Sequence, residues 1–430
     1  MINDQGLKLG YIWLKPGVSR LNGWTLLYVL FISIGMLVFL NFQQPYVLKN
    51  MLGIPQTETG RVIAQMALVH ELVLIGMVSP FGALADRIGR RPIITLGYVL
   101  AAVGYIAYPF ATTVFMLTAF RAIFAVGAAA IISTFTTVLT DYPKEQSRSK
   151  LIALGSVLNA LGLAILAGVG GQTINWLAEA GFDPITAGRI AITGVGLVGF
   201  VSAVVVWNGL KGEELKLEHK KIPLNKLIRE GFGAARNPRI ALAYASAFIA
   251  RGDNVVIGAY LSAWAIQSGI QDGLTDNFAL AKAGILVAIV NVAPLPLAAV
   301  FGYFNDKNNR ITGLIIATAI ATVGYLWFGS LESPLVNMAI WVGILMGCGQ
   351  VGAVIAGQTL IGQEADPRIT GTTLGAFNFF GSVGTLVSSV LGGILFDVWT
   401  NGGPFLMMGI GSALLLIAAI YVRLLPKSYP

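Results

Sequence analysis

The sequence predicts an all-α membrane protein with twelve transmembrane helices in two pseudo-symmetric six-helix bundles. Three observations predict it. The 430-residue chain is 56% apolar and only 11% charged, far from the ~25% charged residues of a typical soluble domain. Its apolar stretches recur at or near the ~17 to 25 residues a helix needs to cross a bilayer. Barrel strands would be about half as long and would alternate in polarity, so the spans are helices. The second half of the chain also repeats charged loops of the first.

The first six spans are expected at about residues 24–46, 62–81, 93–110, 112–139, 151–172 and 188–207, and the second six at 240–266, 279–301, 311–328, 335–360, 370–396 and 405–425. Residues 1–207 thus form an N-terminal bundle and 240–430 a C-terminal bundle, joined by a cytoplasmic linker at 208–239. The linker is the one long hydrophilic loop. Its Ile222, Leu224, Leu227, Ile228 and Phe232 have rough helical spacing, which suits either an amphipathic helix on the membrane surface or a solvated connector. With both termini inside, the cytoplasmic tails and loops collect 22 of the 28 Lys and Arg residues. Lys49, Arg61, Arg189 and Lys282 fall outside, and Arg121 and Arg251 lie within spans. That asymmetry orients the chain. It also explains the net charge of +8 without nucleic acid. The amino terminus lacks a cleavable-signal pattern, so the first span is expected to direct insertion. Cys348, the only cysteine, lies in a span and leaves no internal disulfide. Trp24, Trp264 and Trp399 near span ends read as interface anchors.

The halves echo each other. "GALADRIGRR" supplies Gly82, Asp86, Arg87, Gly89 and Arg90; 220 residues later "GYFNDKNNRI" supplies Gly302, Asp306, Lys307, Asn309 and Arg310. The same offset pairs Arg148 with Arg368, Leu154 with Leu374 and Gly155 with Gly375. A duplicated six-helix unit suggests two bundles about a central path.

These residues resemble the major facilitator superfamily over essentially the whole chain. Its hallmark between the second and third helices, G-x-x-x-D-R-x-G-R-R-P, is matched by Gly82, Asp86, Arg87, Gly89, Arg90, Arg91 and Pro92. The motif also has a physical reading. Gly82 allows close helix approach, Pro92 suits a helix start, and the basic residues hold the loop on the cytoplasmic side. Asp86 is placed to bond helix-start N–H groups near Thr370, and Asp306 those near Ser149, each contact worth roughly 0.3 to 2 kcal/mol. The resemblance implies that this latch closes the inner side when the transporter opens outward; the alternative is an orientation signal alone. "RAIFAVGAAA" resembles the family's arginine motif in the fourth helix, with Arg121 in place and Gly127 two positions late. Gly162, Gly170 and Gly171 match the ends of an exporter-associated glycine pattern, echoed by Gly384, Ser388, Ser389, Gly392 and Gly393. Small residues there permit tight helix packing whatever the direction of transport.

Charges inside spans cost about 2.5 to 3.5 kcal/mol each on insertion scales and usually mark pathways. Here they are Glu71, Arg121, Arg251 and Asp253, with His70 beside them. Glu71 is the favoured proton carrier, and His70 a relay or substrate ligand near neutral pH; the alternative is a static pair that fixes helix packing. Arg121 shares its face with Thr118, Ala125 and Ala128. On a continuous seventh helix Arg251, Asn254 and Gly258 share one face, while Asp253 points about 200° away. Arg251 is therefore expected to line the path, and Asp253 to pair with a neighbouring helix or sit nearer water. For each arginine an interhelical salt bridge is the alternative. Asn41, Gln43, Gln44, Asn159, Asn291, Gln350, Gln358 and Asn378 are further polar candidates, and Pro45 follows two amides in "QQPY".

Together these features predict alternating access by a secondary active transporter, with proton binding at Glu71 linked to solute binding near Arg121 and Arg251. A small organic anion is the expected solute. A neutral or cationic drug-like solute, exporter action, or uncoupled uniport are alternatives; a non-transporting receptor is a further one. No nucleotide-binding loop, metal-ligand cluster or nucleophile motif appears, so no enzyme activity and no cofactor are expected, with the proton as coupling ion. The protein is expected to work as a monomer in the plasma membrane, or the inner membrane of a bacterium.

Overall fold

A computed structural model describes residues 6–212, 231–297, 301, 310–365 and 370–425, apart from some side chains within helices. Among the described residues the regular structure is helical except for one hairpin, β1 (Leu7–Leu9) paired antiparallel with β2 (Ile12–Leu14). The helices of the first half are α1 (Arg20–Asn50), α2 (Gln56–Ile88), α3 (Arg90–Ala107), α4 (Val114–Asp141), α5 (Glu145–Glu179) and α6 (Pro184–Gly209). After the linker come α7 (Pro238–Ala250), α8 (Leu261–Gln271), α9 (Asp276–Val292), α10 (Arg310–Gly329), α11 (Met338–Glu364), α12 (Thr370–Val398) and α13 (Gly403–Leu424). Among the described residues, eleven helices are long and apolar enough to cross a membrane. The remaining span, the seventh, is split between α7 and α8.

Helix starts follow local chemistry. Ser19 and Asn22 form a reciprocal capping box on α1. Thr113 caps α4 through the Met116 amide at 3.2 Å, and Asp183 caps α6 through Thr186 at 3.0 Å, with Pro184 at the first helical position. Asp183 is exposed, and the hydrogen bonds it accepts from Thr186 hold its carboxyl below the usual range. Pro45 sits inside α1 without ending it.

Two compact units result: residues 1–53 with 69–218, and residues 54–68 with 219–430. The opening of α2 therefore belongs to the second unit and its remainder to the first. In the first unit α1 meets α5 where a Cβ on Gly162 would collide with the Phe31 carbonyl, and α3 meets α4 at Gly97 and Gly127. In the second unit α7 meets α12 where a Cβ on Gly384 would collide with the Phe248 carbonyl, and α10 meets α11 at Gly349 and Ala321. The duplicated sequence thus builds duplicated contacts. The second unit's core includes Tyr244, Ala247, Leu314, Ala356 and Phe377, all buried.

One expectation is corrected here. Trp264 is not an interface anchor: it is buried and packs against Phe328 and Phe405, whereas Trp24 and Trp399 are exposed. The segment before the first span is also structured. The Lys15 amide donates to the Tyr142 carbonyl and the Lys144 amide to the Trp13 carbonyl, both at 2.8 Å, so the hairpin docks on the turn between α4 and α5. Lys8 and Lys144 stand over the Trp13 ring at 5.7 and 5.8 Å.

Candidate functional site

The ionisable residues of the first unit converge on Arg121. Its position on α4 puts it among apolar neighbours, and only 1% of it is exposed. Nη2 donates to Asn41 Oδ1 on α1. The guanidinium lies 5.4 Å from the centre of the Phe124 ring, one turn along the same helix. His70 on α2 stacks on that ring at 5.7 Å and 23°, and Tyr105 meets it edge-on at 5.3 Å. Glu71, Tyr105 and Tyr108 are near enough to act on Arg121 electrostatically, as is His70. Glu71 is buried and His70 partly so.

Much of this cluster's hydrogen-bonding capacity is unused. Arg121 Nε and Nη1, the Tyr108 hydroxyl and His70 Nδ1 are buried with no hydrogen-bond partner among the described residues. So are Gln43 Oε1, Gln44 Nε2 and Asn159 Oδ1, although Gln43 Nε2 reaches the Gly170 carbonyl at 3.4 Å. Buried polar atoms are nearly always satisfied, and a group of idle ones near a guanidinium marks a place for a ligand or water. The free donors of Arg121 and Tyr108 suit an anion.

The second unit holds a separate polar cluster where the seventh span is interrupted. α7 ends at Ala250; Asp253–Val255 form one helical turn, Val256–Tyr260 a π-helical turn, and α8 follows. The extra residue of the π turn rotates what lies beyond Val255, so Gly258 does not keep the single-wheel position beside Arg251. Arg251 is exposed and donates to Asn378 Oδ1 on α12 at 3.0 Å. Its carbonyl accepts from the Thr385 hydroxyl at 3.1 Å. Asp253 is buried, accepts from the Tyr325 hydroxyl on α10, and is bonded by the Gln350 side chain on α11. Asn291 bonds its own helix at the Val287 carbonyl, 2.8 Å away. Gln358 is exposed on α11.

At the hallmark motif, Gly89 has φ +94°, a conformation that favours glycine, and it makes the turn from α2 into α3. Arg91 lies over the Trp207 ring at 4.7 Å. Tyr142 accepts from the Lys211 amide at 3.0 Å; burial pushes its phenol up, while that bond and the charges of Arg90 and Arg91 act the other way. Among the described residues, a Cβ on Gly82 would meet nothing within 4 Å. Arg310, in the second copy, donates to the Thr359 carbonyl near the end of α11. The side chains of Asp86, Arg87, Arg148 and Asn254, and residues Asp306, Lys307 and Arg368, lie outside the described part.

Comparison with known proteins follows the same lines. A family model described as Major Facilitator Superfamily matches residues 25–388 and 255–430. The chain belongs to the major facilitator superfamily. That family is one of multi-pass membrane transporters. Magnetosome protein MamH of Paramagnetospirillum magneticum is 28% identical over 402 residues, covering 89% of this chain and 88% of MamH. Magnetosome protein MamZ of the same organism is 27% identical over 412 residues, covering 93% of this chain but 62% of MamZ, so this facilitator spans less than two thirds of that relative. The multi-drug resistance efflux pump PmrA of Streptococcus pneumoniae is 25% identical over 340 residues, 77% of this chain and 79% of the pump. Among solved structures, a mutant of the nucleoside transporter NupG superposes with a TM-score of 0.77 at 12% identity, covering 94% of this chain and 100% of that one. A bacterial Spinster homologue in an inward-facing, unoccupied conformation gives 0.64 at 19% identity, covering 95% and 97%. At these identities the structures share the fold.

Proposed function

We propose that this facilitator moves a small organic anion by alternating access, coupled to protons, with Arg121 as the anion-binding group and Glu71, aided by His70, as the proton carrier. One observation carries the reading: Arg121 is a buried guanidinium with two nitrogens that have no hydrogen-bond partner among the described residues. An incompletely paired buried charge is expensive to maintain, and a bound carboxylate or phosphate would repay part of that cost. Glu71 lies within electrostatic range of Arg121, so a proton there and an anion on Arg121 act on each other. That mutual influence is the basis of coupling. The distribution of Lys and Arg supports cytoplasmic termini and a plasma or bacterial inner membrane location.

The likeness to PmrA supports a second reading, export of drug-like solutes. Proteoliposomes loaded with a panel of radiolabelled carboxylates, organic phosphates and cationic dyes separate the two. Under the anion reading, Arg121→Gln raises the half-saturating anion concentration by about 30-fold or more, the effect of losing about 2 kcal/mol at a buried charge pair. Glu71→Gln abolishes accumulation driven by a pH gradient while anion exchange persists. Anion transport indifferent to Arg121→Gln would reject the assignment, and flux of cationic dyes alone would favour the pump.

A further inference from the structure

The transport reading leaves a buried ionisable group of the second unit unused. Asp253 is 2% exposed and lies in the turn that follows the break in the seventh span. It borders a cavity of about 10 Å³, room for roughly one water. The walls come from four helices, with Ile249 and Ala250 on α7, Thr318, Ala321 and Tyr325 on α10, Gln350 and Ala353 on α11, and Met408, Ser412 and Leu415 on α13, while α12 packs behind the turn through Ser388. Of these lining residues only Asp253 and Tyr325 can titrate, and none is a lysine or arginine. Arg251, two residues away, is turned to Asn378.

We propose that Asp253 is a proton-binding site of its own, separate from the Arg121 cluster, with Tyr325 and Gln350 holding it in both charge states. The chemistry of the partners carries the argument. A hydroxyl and an amide each donate to a carboxylate, and each also has an acceptor oxygen for a carboxylic acid. A fixed cation would trap the group in its charged form, and an apolar wall would trap it as the acid; neutral partners that can reverse roles do neither. A water in the cavity relays the proton: it gives one proton to an oxygen of Asp253 as it takes one that originates on hydronium in the aqueous phase, and the reverse relay returns it. Thr318 and Ser412 supply polar walls for that water. The site also lies at a break in a helix. The span is interrupted next to Asp253, the Arg251 carbonyl accepts from Thr385, and Gly252 packs against Ser388. Charging and neutralising Asp253 therefore changes the hydrogen bonds at a point where the helix is not continuous, and π turns of this kind are concentrated at functional positions.

Infrared spectroscopy of the full-length protein in lipid, stepped across the pH range in which it stays folded, tests this without any substrate. The expected result is a protonated-carboxyl band that grows as pH falls, disappears in Asp253→Asn and persists in Glu71→Gln. Asp253→Glu keeps a titrating band at a displaced frequency, and Tyr325→Phe moves the midpoint. If Asp253→Asn does not fold, the Asp253→Glu and Tyr325→Phe spectra decide the matter. A titrating band unaffected by these substitutions, or no pH-dependent band from this residue, overturns the proposal. The readout belongs to the protein itself, so failure of the anion-transport reading would leave the test intact.

Discussion

At the residue scale, two glycines set how closely helices approach. Gly162 on α5 sits against the Phe31 carbonyl of α1, and Gly384 on α12 sits against the Phe248 carbonyl of α7. An added methyl at either has no space, so Gly162→Ala and Gly384→Ala should each cost about 1 to 3 kcal/mol by overpacking. Gly82→Ala should do the opposite: its Cβ meets nothing within 4 Å among the described residues, and alanine gains about 0.5 to 1 kcal/mol over glycine in a helix. Thermal unfolding of the three variants in detergent checks the contrast. The first pair was legible because small residues within apolar spans have few uses other than packing. The motif glycine was less so because its spacing says nothing about what faces it, whereas Gly89 owes its place to a positive φ. Asp183 gives a pH effect with a definite sign. Its folded carboxyl is held below its ordinary range, so the stabilisation is present at neutral pH and is lost as pH falls through the folded value. Asp183→Asn should flatten that acid-side decline in melting temperature.

At the element scale, the opening of α2 behaves differently from the rest of that helix. Asp397 near the end of α12 accepts from the Gly60 amide at 2.8 Å and the Arg61 amide at 2.6 Å. Gly60 and Gly393 pack backbone to backbone, each leaving no room for a Cβ on the other. Hydrogen bonds to a charged group are worth about 1.5 to 3 kcal/mol. Asp397→Ala should therefore speed hydrogen exchange at the amides of residues 58–62, with Asp397→Asn intermediate because its single carbonyl oxygen replaces one acceptor. Unchanged exchange in Asp397→Ala would mean the contact contributes nothing to holding this segment. Sequence reasoning missed it because one aspartate at a helix end, 336 residues from its partner, carries no periodic signal. The break in the seventh span was hidden for a related reason. Apolar residues continue on both sides of "ARGDN", and hydropathy records burial without recording backbone continuity. The Arg121 cluster was more legible, since charges in apolar spans stand out; its link to Phe124 and Asn41 required coordinates.

At the scale of the whole molecule, duplication and charge asymmetry were legible because both are summed over many residues and survive local error. The repeat that pairs Asp86 with Asp306 by number also pairs contacts, α1 with α5 and α7 with α12, each closed by a glycine on a phenylalanine carbonyl. An orientation follows from where the cations lie. Lys8, Lys15 and Arg20 precede the first span, and the linker is the most basic segment, so both should face the cytoplasm. Tyr11 in the hairpin turn and Phe182 between α5 and α6 are both exposed, and the topology puts them on opposite sides. The sole cysteine, Cys348, is buried, so Cys348→Ser gives a background for labelling single cysteines. In intact cells, a membrane-impermeant maleimide should label Phe182→Cys at once and Tyr11→Cys only after the membrane is opened. The reverse pattern would invert the topology, and with it the side from which water first reaches Glu71; equal labelling of both sites in sealed cells would contradict a span count that places them across the bilayer from each other.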